Sequence, residues 1–177
     1  MKPIIFAICL MIFPLCISCS SWEENTGDDV TDELKENEIW NAIIVLSREE
    51  INLVRAKSEK LYKNTNEMAL LVGNVVVDFY NEEGHHISIL YTDSARIDEN
   101  SNNLHAHGNV YVVSDSGYTL STSELLWDNR YEMIVAEDSV MFTHPEGDTL
   151  YGIGFESDID LERFKIFRPF GIIRERI

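Results

Sequence analysis

Five histidines raise the question of a metal centre: His85, His86, His105, His107 and His144. His105-x-His107 sets two imidazoles on one face of a strand, the beginning of a zinc site. The rest of a ligand set is missing. The cysteines all lie in the first 19 residues, and no H-E-x-x-H spacing occurs. His85-His86 follows Gly84, a turn signal. No metal and no cofactor are therefore expected. Serine, histidine and aspartate are all present, but no G-x-S-x-G elbow presents a nucleophile. No pair of carboxylates stands apart for acid–base work, and no phosphate-cradling glycine loop is found. No catalytic residue is assigned, and the chain reads as non-enzymatic. Trp22, Trp40 and Trp127 could stack on sugars or simply pack.

The cysteines Cys9, Cys16 and Cys19 carry a different chemistry. Lys2 precedes an apolar run from Ile4 to Ile17, broken by Pro14. That is the length of a signal peptide and too short to span a bilayer. The run ends in Leu15-Cys16-Ile17-Ser18-Cys19, which resembles a bacterial lipobox. The expectation is a signal peptide over 1–18 and acylation of Cys19; the alternative is an ordinary cleaved signal with Cys19 incidental. Each buried CH2 contributes about 0.8 kcal/mol, so two or more acyl chains anchor a protein stably. The mature chain would then hold no disulfide and depend on its core. Residues 19–40 read as the lipidated N-terminus and an acidic flexible linker. Ser20 to Glu38 carries eight acids and one lysine, whose repulsion extends the chain.

The 177 residues carry 14 Lys+Arg against 31 Asp+Glu, a formal charge of −17. That balance excludes a phosphate-binding surface, so no nucleic-acid partner is expected. Hydrophobic residues make up 45%, enough for a core.

The elements that must position any site are strands. Short apolar runs alternate with polar residues and stop at Gly, Asn and Asp, as in Val75–Phe79, Val110–Val113 and Val140–Phe142. Ser47-Arg48-Glu49-Glu50 has the form of a helix-capping box ahead of Ile51–Tyr62. The apolar positions that follow make no clean helical stripe, so strand is preferred there. A repeat supports this. Val54, Leu90, Leu120 and Leu150 open units spaced 36, 30 and 30 residues apart. Two places on stand Ala56, Thr92, Thr122 and Gly152; eight places on stand Tyr62, Asp98, Asp128 and Asp158. Gly73-Asn74-Val75 recurs as Gly108-Asn109-Val110, with Asp138-Ser139-Val140 a weaker copy. The reading is a stacked β unit of about 30 residues whose copies share one core. The Asp residues mark turns. Strand parity points Val75, Val77, Phe79, Val110, Val112, Leu120, Thr122, Val140 and Phe142 inward. Asp78, Tyr111, Val113 and Met141 then face outward.

The Gly-Asn-Val turns, the Leu-x-small strands, the Asp eight residues later and the closing stretch Gly152–Asp158 resemble the periplasmic lipopolysaccharide-export proteins. The chain is most similar to the LptC family, in a lipoprotein form, over roughly Ala42 to Pro169. The soluble bridge proteins of the LptA/OstA-like group share the repeat. The resemblance implies an all-β fold: an open twisted β-jellyroll over 41–169, followed by a basic tail over 170–177. It implies an apolar groove holding the acyl chains of lipopolysaccharide. Its partners would be inner-membrane ABC transporter subunits, a periplasmic jellyroll bridge protein, and a membrane reached through the lipid anchor. The lipobox departs from better-known members, which carry an N-terminal helix. Location at the periplasmic face of the cell envelope follows, with the inner membrane favoured over the outer.

Candidate groove residues are Val75, Val77, Phe79, Leu90, Val110, Val112, Leu120, Val140 and Phe142. The same residues could instead fill a closed core, and a fully packed barrel would argue against transport. A last strand is expected over Leu161–Phe167. Phe164, Lys165, Ile166, Phe167 and Arg168 form a candidate partner edge, with Arg163, Arg174 and Arg176 adding charge. A solvated tail behind Pro169 is the alternative. The rival function is an envelope lipoprotein that binds glycan or acts as a scaffold. Lipid transfer needs Phe79 and Phe142 inside; glycan binding needs a row of Tyr or Trp outside.

Overall fold

The computed structural model describes residues 37–48, 50–63 and 68–171. The signal peptide, Cys19, most of the acidic linker, and Arg174 and Arg176 lie outside the described residues. Those described form nine antiparallel strands in one open sheet, ordered as in the sequence. They are β1 (Glu38–Arg48), β2 (Ile51–Lys63), β3 (Met68–Tyr80), β4 (His86–Asp98), β5 (Leu104–Ser114), β6 (Thr119–Asp128), β7 (Met133–Thr143), β8 (Thr149–Asp158) and β9 (Phe164–Phe170). The all-β, open jellyroll-like expectation holds, and the segment after the capping-box motif is strand. Some boundaries move. β1 starts within the stretch read as linker. β9 starts three residues later than expected and runs through Pro169, which an edge strand tolerates. Leu161, read as the first strand residue, is instead a buried turn residue with φ 63°.

Each strand from β2 to β8 bends near its middle, because the pairing ladder skips residues there. At Gly73-Asn74 and Gly108-Asn109 the bend is made by two successive residues with positive φ, 80° and 43°, then 80° and 46°. Glycine and asparagine reach that region at least cost. An acid on the preceding strand closes each corner: Asn74 donates to Glu59, and Asn109 Nδ2 donates to Asp93 Oδ2 at 2.8 Å. A Cβ on Gly108 would meet that Asp93 oxygen at 2.5 Å.

The bends fold the sheet over on itself. Phe79 on β3 and Trp127 on β6 are three strands apart, about 14 Å in a flat sheet. Their rings are 5.4 Å apart. The sheet therefore makes two layers, hinged at the corners, with its apolar face between them. Thr92, at the corner of β4, has its hydroxyl within hydrogen-bonding distance of the carbonyls of Ser94, His107 and Gly108, with one hydrogen to donate among them. Its counterpart in β2 is Ser58, which donates to Lys60 O. Register agrees: Thr92 pairs with Val75, and the Ala56↔Val77 pairing runs on to place Ser58 against Val75. The first repeat is thus offset by two from the sequence alignment, and Ala56 corresponds to Leu90. The extra length of the first repeat lies in the β3–β4 hairpin, where Thr92 stands 19 positions after Gly73, against 14 from Gly108 to Thr122. The Asp turns form as expected. Asp98 Oδ1 accepts from the N–H groups of Asn100 and Ser101, and Asp128 Oδ1 from those of Arg130 and Tyr131.

Candidate functional site

Three places could act: the space between the layers, the sheet edges, and the outer face.

The nine candidate groove residues all lie on the inner face. Val75, Val77, Phe79, Leu90, Val110, Val112, Leu120, Val140 and Phe142 belong to one buried cluster, none more than 3% exposed. Parity worked because side chains alternate strictly between bends. The space is filled by the protein's own side chains. Phe142 stacks on Tyr118 and lies 4.1 Å from Phe164 and 5.4 Å from Phe155, ring centre to ring centre. Gly152 is small for a local reason: Ile166 of β9 packs where its side chain would be. His144 joins the Phe142 cluster as an aromatic.

The layers part at one mouth, opposite the corners. A cleft of about 270 Å³ opens between the β3–β4 turn and the β6–β7 turn. Its floor is Leu53, Phe79, Ile87, Trp127 and Ile159; its rim includes Asn81, Glu82, Glu83, Asn129 and Glu132. Arg48, at the end of β1, spans it. Its guanidinium donates to Glu132 Oε1 at 3.3 Å on one layer and lies 3.7 Å from Glu82 Oε1 on the other. Sequence reasoning named only Phe79 and Trp127 here, because turns from distant strands make the rim. Beside Ile159, burial raises Asp158, but bonds to Asp160 and Arg163 outweigh it and hold this carboxyl below the ordinary range. Burial and the bond to Asp158 push Asp160 up.

Among the described strands, β1 and β9 each have a single neighbour. On β9, Phe164 and Ile166 turn inward against the core, while Lys165, Phe167 and Arg168 are exposed. Lys165 Nζ lies 4.3 Å above the Phe167 ring. On β1, Lys60 Nζ pairs with Glu38 at 2.9 Å and covers the Trp40 ring. The bond that Lys60 donates to Glu38 raises Lys60 above its ordinary value.

On the outer face, His107 Nδ1 lies 3.1 Å from Glu124, beside a cleft of about 280 Å³ where β6 and β7 separate. Residues 122–125 and 136–140 take no part in the ladder between these strands. Unlike β3 and β5, β7 has no positive φ at its corner, and the buried Thr122 hydroxyl finds no partner. His86 Nδ1 bonds Asp115 at 2.9 Å. Among the described residues no cluster of His, Cys, Asp and Glu suits a metal ion. Among them, too, no helix is long and apolar enough to cross a membrane.

The outer face also carries a row in register that sequence reasoning saw only in part. Tyr91 pairs with Tyr111, Tyr111 with Ser121, Ser121 with Met141, Met141 with Tyr151 and Tyr151 with Phe170. Tyr91, Tyr111, Met141 and Tyr151 each follow an inward-facing residue by one place, so parity alone would have found these four; Phe170 follows the exposed Pro169 and is placed only by its pairing with Tyr151. Both discriminating features, aromatics inside and tyrosines outside, are therefore present.

The fold and these sites define an all-β protein with a folded-over open sheet, an apolar interior and exposed edges. The chain matches no family model, and no curated protein matches it.

Proposed function

We propose that this protein is a non-enzymatic component of lipopolysaccharide transport, anchored to a membrane through Cys19. Acyl chains received from an inner-membrane ABC transporter lie between the two layers and pass to the next periplasmic jellyroll. The observation that carries this reading is the largely apolar interior of a sheet that folds over without closing. Phe79 and Trp127 at the mouth lead directly into it. Burying ten CH2 groups contributes about 8 kcal/mol. Repulsion between exposed charges on protein and lipid costs about 1 kcal/mol per pair before screening. The interior is packed, so a chain enters only as the layers part. Two half-exposed ion pairs at Arg48 hold the mouth, and pairs of that kind are worth at most about 1 kcal/mol each. Lys165, Phe167 and Arg168 on β9 offer an uncovered edge to the following jellyroll.

In-cell photocrosslinking tests the reading, with a photoreactive phenylalanine at Phe142 and a control at Met141. Phe142 is 0% exposed and Met141 is 38% exposed on the opposite face. Capture of lipopolysaccharide at 142 and not at 141 supports transport through the interior. Capture at neither position, with Cys19 acylated, refutes it.

A further inference from the structure

The transport reading lets acyl chains enter the mouth on burial alone; the charge around the mouth lies outside it. Leu53, Ile87 and Ile159 are partly exposed on the cleft floor, beside the buried rings of Phe79 and Trp127. At about 270 Å³ the cleft is just below the usual range for ligand pockets, about 300–1,000 Å³. It suits one short alkyl chain and not a bulky ring system or a protein surface.

The rim decides the head group. Glu82 and Glu83 come from the β3–β4 turn and Glu132 from the β6–β7 turn, and no Lys or Arg is among the described residues that line the cleft. Arg48 reaches across from the end of β1, to 3.3 Å from Glu132 and 3.7 Å from Glu82. Arg130, two residues before Glu132, lies over the Tyr131 ring instead. Among the described residues, three carboxylates thus face one guanidinium, an excess of two negative charges. The cleft already holds a cation across its mouth, supplied by the chain itself. Both of its pairs are half-exposed or more, so they are weak and open to exchange. An incoming cation can replace the guanidinium, pair for pair, while its tail covers the apolar floor. An anionic head meets Arg48 but also the excess of carboxylates.

We propose that the mouth cleft is a binding site for a cationic amphiphile: a single alkyl chain carrying an ammonium or guanidinium head. The chain lies on Leu53, Ile87 and Ile159, and the head takes the place of Arg48 between Glu82 and Glu132. Tail burial supplies most of the affinity, and the rim chooses the head. Such binding requires only the cleft, whether or not lipopolysaccharide passes through the interior.

The test uses the full chain in nanodiscs of phosphatidylcholine, with 5-fluorotryptophan in place of tryptophan. The fluorine resonance of Trp127, identified by Trp127→Phe, reports on the cleft and not on ligand dissolved in the disc. Octylammonium, octanoate and methylammonium are titrated at free concentrations set by dialysis. Octylammonium is expected to shift the resonance saturably and to bind about tenfold more tightly than octanoate, the swing of two exposed charge pairs from attraction to repulsion. Methylammonium, without a tail, should leave the resonance unmoved. Arg48→Gln frees both carboxylates, so it should tighten octylammonium about three- to fivefold and weaken octanoate. A mouth that is merely loosened would admit both tails more readily. Glu82→Gln combined with Glu132→Gln should erase the preference for the amine. Circular dichroism confirms that the variants fold. Absence of a saturable shift with octylammonium overturns the proposal. So does octanoate binding as tightly, methylammonium binding equally well, or an Arg48→Gln variant that tightens both tails alike. Capture of lipopolysaccharide at Phe142, or its failure, changes none of these outcomes.

Discussion

Thr92 and Thr122 occupy equivalent corners, 30 residues apart, and differ in what surrounds them. The Thr92 hydroxyl has three backbone carbonyls of β4 and β5 within reach of its one hydrogen. Thr122 faces the gap beside β7, where Asp138-Ser139 replaces Gly-Asn, and its hydroxyl is buried without a partner. Removing a buried donor that is bonded costs about 1–3 kcal/mol, whereas removing an orphan costs nothing of that kind. Thr92→Val is therefore expected to lower unfolding free energy by about 1–3 kcal/mol. Thr122→Val should be neutral or stabilising. Urea unfolding of both variants decides it, and equal losses would mean that the two corners are alike. The two threonines are indistinguishable as sequence; only the next strand's corner separates them.

At the scale of elements, the informative feature is how the layers are held. The core joins them through Phe142, Phe155 and Phe164, whereas the mouth is strapped by Arg48 alone among the residues that rim or span it. Arg48→Ala should speed amide hydrogen exchange around Phe79, Ile87 and Trp127 by up to about tenfold, the worth of two exposed ion pairs. Exchange near Phe155, deep between the layers, should not change. Raising the salt concentration should move the wild type toward the variant, because exposed pairs are screened. A variant that exchanges like the wild type at low salt would show that the strap holds nothing. The sequence predicted that this segment precedes a strand, but its Arg48 gains partners 34 and 84 residues away. No local pattern encodes such a pairing.

For the whole molecule, the fold leaves a large excess of negative charge unneutralised. The whole chain carries −17, and residues 37–171 hold 23 Asp+Glu against 10 Lys+Arg; such an excess repels itself and weakens the compact state. Adding simple salt, from about 20 to about 300 mM, shortens the Debye length from roughly 20 to roughly 6 Å. The melting temperature should rise by a few degrees, as a melting series would show. A fall would mean that specific ion pairs, such as Lys60–Glu38 and Lys63–Glu99, outweigh the general repulsion.

The amino-acid sequence by itself determined the strands, their inward and outward faces and most of their turns. These follow from alternation, from Gly-Asn pairs and from Asp side chains that bond the next few residues, all short-range effects. Parity alone placed eight of the nine candidate interior residues, all but Leu90. The tertiary structure decided the rest. It showed that mid-strand bends fold one sheet into two layers, that the interior is filled, and that the repeat slips by two at Ser58. It also brought Tyr91, Tyr111, Met141, Tyr151 and Phe170 into one register across the six strands β4 to β9. Each of these depends on which residues of separate strands end up opposite one another. Ladder pairing and side-chain packing fix that only when the whole sheet has formed.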